Sequence, residues 1–261
     1  MSDDHYAGAA LGWAHGATIV YAPIARELTA TTPHPLAGRT VLDVGAGTGV
    51  AGAALEDAGA LPVALDLSHD MLASEAGRRP PSAVADVYRL PLRDAAVGDS
   101  VAAFVFNHLV EPVAGLAETA RVTRPGGALL ACVYANTSRS EVRDAIDDAA
   151  QREGWRLPDW YLELKRAATP LLGTAEGMAR AASRAGLVNI IVDERVVDIG
   201  VTEPEQLVDY RLGQAQYSVW LDEVDQGRAQ AIRSRLVEAI RPMMRPYRPI
   251  VVFLSAIVPT R

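Results

Sequence analysis

The chain has 261 residues, a net charge of −7 and no basic run, with 49% hydrophobic and 22% charged residues. This composition excludes a mainly disordered chain and lacks the electrostatic footprint of a nucleic-acid binder. The single cysteine, Cys132, excludes an intrachain disulfide and favours a reducing compartment. The first residues lack the pattern of a signal peptide, and no apolar run has membrane-spanning length. We therefore expect a soluble cytoplasmic protein without a nucleic-acid or membrane partner.

The first predicted element is a long amphipathic helix. Apolar and aromatic residues recur at three- and four-residue spacing from Tyr6 to Thr29, and Pro33 and Pro35 end the pattern. We expect residues 1–38 to form a helical lid ahead of a main domain that covers residues 39–261.

From Arg39 onward, short apolar strands alternate with helices. Strands are predicted at Thr40–Val44, Pro62–Leu65, Ala83–Ala85, Val101–Phe106 and Ala128–Tyr134. Helices are predicted at Val50–Ala58, Asp70–Ala76 and Val113–Val122, the second of them capped by Ser68. This alternation indicates βαβ units and a parallel sheet that is covered on both faces.

After Tyr134 the alternation stops. Two capping boxes, Ser138–Glu141 and Thr202–Glu205, predict helix starts, and Trp155–Leu172 is expected to be aromatic and irregular. Further helices are predicted at Thr174–Ala185 and Arg228–Ile240, and late strands at Val188–Ile199 and Ile250–Val258. We expect helical and aromatic insertions at about residues 137–186 and 202–248.

The most informative segment is Val41–Gly49, which has the pattern of a strand, a glycine turn and a helix start. Glycines permit a tight turn and close approach of the backbone to a ligand. The next strand ends at Asp66, roughly 20 residues further on, where an acid can bind ribose hydroxyls. Val50 replaces the third glycine of a dinucleotide fingerprint, and Asp43 disfavours a pyrophosphate. The motif therefore favours a cationic nucleoside without phosphate, such as S-adenosylmethionine, over a nicotinamide dinucleotide.

Over Arg39–Tyr134 the chain resembles the class I S-adenosylmethionine-dependent methyltransferases, in the small-molecule and quinone branch that is methyltransferase type 11-like. The resemblance implies a Rossmann-like, doubly wound α/β sheet of seven strands, mostly parallel with a late antiparallel strand, plus a helical lid. It implies S-adenosyl-L-methionine as the cofactor. The residues that it assigns to the cofactor site are Asp43, Gly45, Ala46, Gly47, Asp66, Leu67, Met71, Asp86, Val87 and Asn107.

The same resemblance places His108 at the end of the fourth strand, facing the reacting methyl group. His108 is therefore the candidate base or substrate positioner, and a histidine held by local backbone is an equally good interpretation. Aromatic residues of the lid and the first insertion are expected to line an apolar acceptor pocket, with core packing as the alternative. These residues are Tyr6, Trp13, Tyr21, Trp155, Trp160 and Tyr161. The other histidines follow no metal-ligand spacing, so no metal is expected.

The expected function is methyl transfer to an oxygen, nitrogen or carbon atom of a small molecule, for example a specialised metabolite. Two alternatives stay open, because a fold does not fix its chemistry. One is an S-adenosylmethionine-binding enzyme that catalyses a rearrangement or cyclisation without methylation. The other is a non-catalytic binding subunit. The sequence names neither the substrate nor the oligomeric state.

Overall fold

The computed structural model describes residues 6, 8–74, 77 and 79–260. These residues form a seven-stranded sheet whose strands are β1 (Thr40–Val44), β2 (Leu61–Asp66), β3 (Ser82–Val84), β4 (Asp99–Ala103), β5 (Ala128–Tyr134), β6 (Val188–Val196) and β7 (Ile250–Ile257). Their spatial order is β3-β2-β1-β4-β5-β7-β6. Strands β1 to β5 pair in parallel, and β7 runs antiparallel to both β5 and β6. The predicted Rossmann-like α/β sheet with a late antiparallel strand is therefore confirmed.

Helices precede, connect and cover the strands. The α-helices are α1 (Ala10–Gly12), α2 (Thr18–Ala30), α3 (Val50–Asp57), α4 (His69–Ala73), α5 (Pro112–Val122), α6 (Glu141–Arg152), α7 (Asp159–Ala167), α8 (Thr169–Leu172), α9 (Ala175–Arg184), α10 (Pro204–Leu212), α11 (Ala215–Asp222) and α12 (Gln226–Ile240). A π-helical turn, Trp13–Ala17, joins α1 to α2. No helix among the described residues is long and apolar enough to cross a bilayer.

The sheet buries both of its faces, because successive side chains of a strand point to opposite sides. Val41 belongs to the apolar cluster on one face, together with residues of α2, α3, α6, α10 and α12. Its neighbour Leu42 belongs to the cluster on the other face, with residues of α5 and α9. The carboxyl ends of the parallel strands meet at one edge, which is where ligands bind in sheets of this kind.

Most of the predicted N-terminal lid is part of the core. Val20, Ile24 and Leu28 on α2 have no exposed surface and pack in the same cluster as Val41. This burial arises because α2 carries its apolar residues at helical spacing toward the sheet. Residues 1–5 and 7 of the predicted lid lie outside the described part of the chain. Among the described residues of the predicted lid, Tyr6 and the stretch from Gly8 to the π-helical turn remain available as a cover.

Several predicted boundaries were wrong. The fourth strand ends at Ala103 rather than Phe106, because Phe104 takes a left-handed conformation with φ of +59° and breaks the extended backbone. Residues Phe106–His108 form a 3-10 turn instead. The predicted helix Asp70–Ala76 is observed as α4, and its last two predicted residues lie outside the described part of the chain.

The segment after β5 is more helical than predicted. The stretch expected to be irregular contains α7 and α8, and α11 was not predicted. The helix caps also differ, since Ser140 rather than Ser138 accepts a hydrogen bond from the backbone of Arg143. Glu203 rather than Thr202 forms the second capping box. Each true cap lies one or two residues further along, where the backbone is still extended and the helix begins.

Candidate active site

A cavity of about 820 Å³ opens at the carboxyl edge of β1, β2 and β4. Its walls fall into two groups of residues. The group around the glycine turn is called the glycine end and includes Gly45, Ala46, Gly47, Thr48, Asp66, Leu67, Met71, Asp86 and Val87. The other group is called the aromatic end and includes Tyr6, Trp13, Tyr21, Phe104, His108, Trp160, Glu163 and Leu164.

The glycine turn is held against the end of β2. The backbone nitrogens of Gly45 and Ala46 donate to the carbonyl of Leu65 at 2.7 and 3.1 Å. Gly45 has φ of +63°, and a Cβ atom there would lie 2.5 Å from a methyl group of Val105. Only glycine fits this position, because any side chain would both strain the backbone and overlap Val105. A Cβ on Gly47 would meet nothing within 4 Å, so the turn leaves open space beside it.

Asp66 connects the glycine turn to α4. One of its carboxylate oxygens accepts from the backbone nitrogen of Gly47 at 2.7 Å, and the other accepts from that of Ser68 at 2.8 Å. Ser68 in turn caps α4 through the backbone nitrogen of Met71. The carboxylate is therefore oriented by backbone donors on both sides, and it lies on the cavity wall.

Arg79 is a site residue that the sequence reasoning missed. Its guanidinium donates to the carbonyl of Gly47 at 2.6 Å and to the carbonyl of Met71 at 2.8 Å. These two bonds clamp the glycine turn to the end of α4, with charge-assisted strength. Arg79 lies outside every predicted element, so no periodic pattern indicated it.

The glycine end contains buried acceptors that the protein pairs poorly. Asp43 is 1% exposed, and its carboxylate oxygens make no hydrogen bond of good geometry, so that the backbone N–H of Gly52 and the charge of Arg79 offset its burial only in part. Burial, and next the negative charge of Asp66, raise the pKa of Asp43 to about 7. The hydroxyl of Thr48 and the side-chain carbonyl of Asn107 are also buried without partners. Because native proteins rarely leave such groups unpaired, this end of the cavity fits a ligand that brings donors and positive charge.

The remaining residues predicted for the cofactor site also lie here. Asp86 accepts from the backbone of Tyr88 at 2.9 Å and lines the cavity together with Leu67, Met71 and Val87. Asp43 and Asn107 are buried and do not line the cavity; Asp43 lies near Asp66, and Asn107 belongs to the same 3-10 turn as His108. Of the ten predicted residues, eight therefore line the glycine end of the cavity.

The aromatic end is a set of rings in contact. Trp13 stacks on Tyr21 with ring centroids 5.3 Å apart and planes 5° apart. Tyr6 meets Trp13 edge-on at 5.6 Å, and Phe104 meets Tyr21 edge-on at 5.0 Å. Phe104 reaches this position through its left-handed backbone, a conformation that costs about 1–3 kcal/mol in a non-glycine residue and is typical of functional sites.

His108 faces the cavity from the 3-10 turn after β4 and contacts the N-terminal segment. The hydroxyl of Tyr6 lies 3.0 Å from Nδ1 of His108, and either atom can donate, depending on the imidazole tautomer. Burial, and next the positive charge of Lys165, lower the pKa of His108 from 6.5 to about 4. His108 is therefore an uncharged imidazole at neutral pH with one ring nitrogen available as an acceptor, and the same burial makes it a weaker base than a free imidazole.

Two of the aromatic residues predicted to line the acceptor pocket lie elsewhere. Trp155 is 1% exposed, stacks on Tyr217 at 4.3 Å and donates from its indole nitrogen to the carbonyl of Gln216. It is a core residue. Tyr161 does not line the cavity either. The residues of α7 that line it lie at helical spacing on one face of the helix, and Tyr161 is not on that face. These residues are Trp160, Glu163, Leu164 and Ala167. Tyr6, Trp13, Tyr21 and Trp160 do line the cavity.

The described residues contain no cluster of three or more histidine, cysteine or acidic side chains that could hold a metal ion.

Comparison with known proteins agrees with this geometry. The model of a family described as a methyltransferase domain matches residues 42–131. A demethylmenaquinone methyltransferase of Mycolicibacterium paratuberculosis is 42% identical over 103 residues, which cover 40% of this chain and 45% of that protein. The chain thus spans less than half the length of this relative.

Solved structures with a similar fold extend the likeness beyond this segment. The phosphoethanolamine N-methyltransferase 2 of Haemonchus contortus has a TM-score of 0.57 and 18% identity, covering 91% of this chain and 52% of that one. The (4+2)-cyclase SpnF has a TM-score of 0.55 and 20% identity, covering 92% of this chain and 81% of that one. At these identities the two structures establish the fold alone. Residues 42–131 are therefore similar to a methyltransferase domain, and the chain shares the Rossmann-like fold of these solved structures.

Proposed function

We propose that this protein binds S-adenosylmethionine at the glycine end and transfers its methyl group to a small molecule at the aromatic end. The acceptor atom is an oxygen, a nitrogen or a carbon. The observation that carries the proposal is the single cavity that joins the glycine turn and Asp66 to His108 and the aromatic rings. The family match over residues 42–131 supports the same reaction.

The glycine end offers a complement to each part of this cofactor. Asp66 would accept hydrogen bonds from the ribose hydroxyls, and Asp86 from the adenine amine, with Leu67, Met71 and Val87 beside the adenine. The buried charge of Asp43 would favour the cationic amino-acid part. When bound, the cofactor supplies a methyl group that is already activated by a sulfonium.

Residues of the aromatic end would bind the acceptor and take up its proton. Its rings exclude water and hold the acceptor in line behind the methyl group, so that most of the rate comes from proximity and orientation. His108 would take the proton that a hydroxyl acceptor releases, and Tyr6 would hold the imidazole in place. The segment from Tyr6 to Trp13 and the helix α7 would act as the cover of the cavity.

Two other functions remain as rivals. The similar fold of a (4+2)-cyclase makes a rearrangement or cyclisation with bound cofactor the second candidate. A non-catalytic binding subunit is the third. The hydrogen-bonded pair of His108 and Tyr6 on the cavity wall favours an enzyme over a binding subunit.

The test is incubation with S-adenosylmethionine that carries an isotope-labelled methyl group, together with metabolite extracts, followed by mass spectrometry. We expect a labelled product and stoichiometric S-adenosylhomocysteine. The variant Asp66→Ala should lose product at limiting cofactor, and Asp57→Ala, at the exposed end of α3, should not. An unlabelled rearranged product with intact cofactor would identify the cyclase, and cofactor binding without any product would identify the binding subunit.

The cellular setting is also a proposal. The acidic net charge and the absence of a basic run support a small-molecule substrate rather than a nucleic acid. The single cysteine supports a cytoplasmic location. Co-purification of the protein with the cytosolic fraction of its own cells, free of nucleic acid and membrane, is the expected result.

A further inference from the structure

The charged side chains on the cavity wall are all acidic. Among the described lining residues there is no lysine or arginine, and the carboxylates are Asp66, Asp86, Glu111 and Glu163. The first two belong to the glycine end, and Glu111 and Glu163 are exposed. An acceptor with its own negative charge would therefore meet no compensating cation among the described side chains of this wall, and burying an unpaired charge is strongly unfavourable.

The cations that lie near the wall are engaged elsewhere. Arg79 donates to the carbonyls of Gly47 and Met71. The ammonium of Lys165 lies 5.3 Å from the ring centroid of Tyr161, and after burial its charge is the second cause that lowers the pKa of His108. Neither side chain lines the cavity. The negative charge of the described wall thus disfavours acceptors that carry a carboxylate or a phosphate, and no side chain has to block them sterically.

The pair formed by His108 and Tyr6 selects among the uncharged acceptors. If Nδ1 donates to Tyr6, then Nε2 can accept a proton. If Tyr6 donates to Nδ1, then a proton can reach Nδ1 through the Tyr6 hydroxyl. In both cases the pair takes one proton from a group next to it. A hydroxyl needs this help, because its proton must leave as the methyl arrives, whereas an uncharged amine attacks through its lone pair.

The shape of the aromatic end selects a flat molecule. Trp13 and Tyr21 stack on each other, Tyr6 and Phe104 meet them edge-on, and all four rings line the cavity. An aromatic acceptor can stack in an offset manner on such a surface, which adds about 0.5–1.5 kcal/mol to its area burial.

We propose that the acceptor is an uncharged, flat aromatic molecule that carries the reacting hydroxyl, so that the reaction is O-methylation of a phenol-like group. This inference rests on the proposed methyl transfer. The oxygen forms a bond to the methyl carbon, the carbon–sulfur bond breaks with its electron pair going to sulfur, and the hydroxyl proton goes to His108. One positive charge disappears at sulfur as one appears on the imidazole, so the total charge inside the cavity does not change.

Three matched probes test the inference on the full-length protein. They are para-phenylphenol, para-phenylaniline, and para-phenylphenol with a carboxylate on its second ring. Calorimetry on the S-adenosylhomocysteine complex should show binding of the phenol, and at least about tenfold weaker binding of the carboxylated phenol, because of the acidic wall. With labelled S-adenosylmethionine, the phenol should be methylated on oxygen faster than the aniline is methylated on nitrogen.

A charge reversal sharpens the test. Glu163→Lys should strengthen binding of the carboxylated phenol by about tenfold relative to the uncharged one. Glu176→Lys is the matched control, since Glu176 lies on α9 away from the cavity, and it should change neither affinity. Equal or tighter binding of the carboxylated phenol to the wild-type protein, faster methylation of the aniline, or no probe binding at all would overturn the inference. Failure to bind S-adenosylhomocysteine would instead overturn the proposed function.

Discussion

The two ends of the cavity are built in different ways. At the glycine end, the groups come from a nearby part of the chain, Gly45–Val87, and backbone amides position most of them, through turn geometry and through donors to Asp66. At the aromatic end, side chains from distant segments meet, and the contact between Tyr6 and His108 joins residues that are 102 positions apart. A site made from local backbone leaves a motif in the sequence, whereas a site made from converging side chains leaves almost none.

The two ends also differ in how well the protein alone pairs their buried polar groups and packs their side chains. The glycine end keeps the carboxylate of Asp43 buried and only weakly compensated by Gly52 and Arg79, so that its charged form lowers the stability of the unliganded fold. The aromatic end has its rings packed against one another and against the core. We therefore expect removal of the Asp43 charge at the glycine end to raise stability and to weaken ligand binding. Substitutions at the aromatic end should instead change catalysis and acceptor binding.

The largest expected effect is a loss of stability that distinguishes a tryptophan of the core from a tryptophan of the cavity wall. Trp155→Ala should lower the free energy of unfolding by about 3–5 kcal/mol, because it removes a fully buried indole. Trp160→Ala, the matched variant on the cavity wall, should leave a stable fold and weaken acceptor binding. Urea denaturation and acceptor titration of both variants measure this. The same stability loss in both would mean that the wall is part of the core.

The second prediction concerns the stability of the glycine end. Asp43 titrates near 3.8 in the unfolded chain and near 7 in the fold, so wild-type stability should fall as the pH rises between these values. Asp43→Asn removes this loss. Its free energy of unfolding should exceed that of the wild type by up to about 4 kcal/mol near pH 8 and match it near pH 4, with weaker cofactor binding.

Urea denaturation across this pH range is the measurement for Asp43→Asn, and Asp57→Asn on the exposed end of α3 is the control. A variant that is less stable than the wild type at both pH values would show that the Asp43 carboxylate is satisfied in the fold.

The third prediction isolates chemistry at the aromatic end. His108→Ala should slow single-turnover methyl transfer by about a hundredfold, the usual loss for a general base, without changing the affinity for S-adenosylhomocysteine. Rapid-quench kinetics and calorimetry measure the two quantities. Tyr6→Phe keeps the ring and removes the hydroxyl, so it should give a smaller loss of rate. A loss below a few-fold in His108→Ala would reduce His108 to a structural residue.

The fourth prediction concerns cofactor affinity at the glycine end. Asp66→Ala should weaken S-adenosylhomocysteine binding by about 1.5–3 kcal/mol, the contribution of hydrogen bonds to a charged group. The transfer rate at saturating cofactor should stay near that of the wild type. Calorimetry decides, and tighter binding of NAD than of S-adenosylhomocysteine would show that the cavity is built for a different nucleotide.

The sequence predicts the sheet and the glycine end well because both depend on neighbouring residues. Apolar runs define β1 and β2, and the glycines after Val44 predict the turn that follows β1. Strand β4 was extended too far because nothing in the apolar run predicts the left-handed Phe104. That conformation is set by tertiary packing of its ring on Tyr21 and Tyr134.

The aromatic end was predicted less well, for a physical reason. An aromatic residue buries the same area in a core as in a pocket, so Trp155 and Trp160 look alike in sequence. The difference comes from α7, which was not predicted because Pro158 and Pro170 flank it closely. Without the helix, its face toward the cavity could not be derived, and Glu163 and Leu164 were missed.

The π-helical turn at Trp13–Ala17 has a consequence for how this fold can change over generations. Such a turn is equivalent to one extra residue in an α-helix. Loss of a single residue there would therefore restore regular winding and leave the helix faces on either side aligned, so that Tyr6 and Trp13 stay near His108 and Tyr21. Loss of one residue from the regular helix α2 would instead rotate the part of the helix ahead of it by about 100°. Tyr6 and Trp13 would then turn away from His108 and Tyr21, while the glycine turn stayed untouched. The aromatic end would thus tolerate a codon deletion in the π-helical turn and not in the helix that follows it.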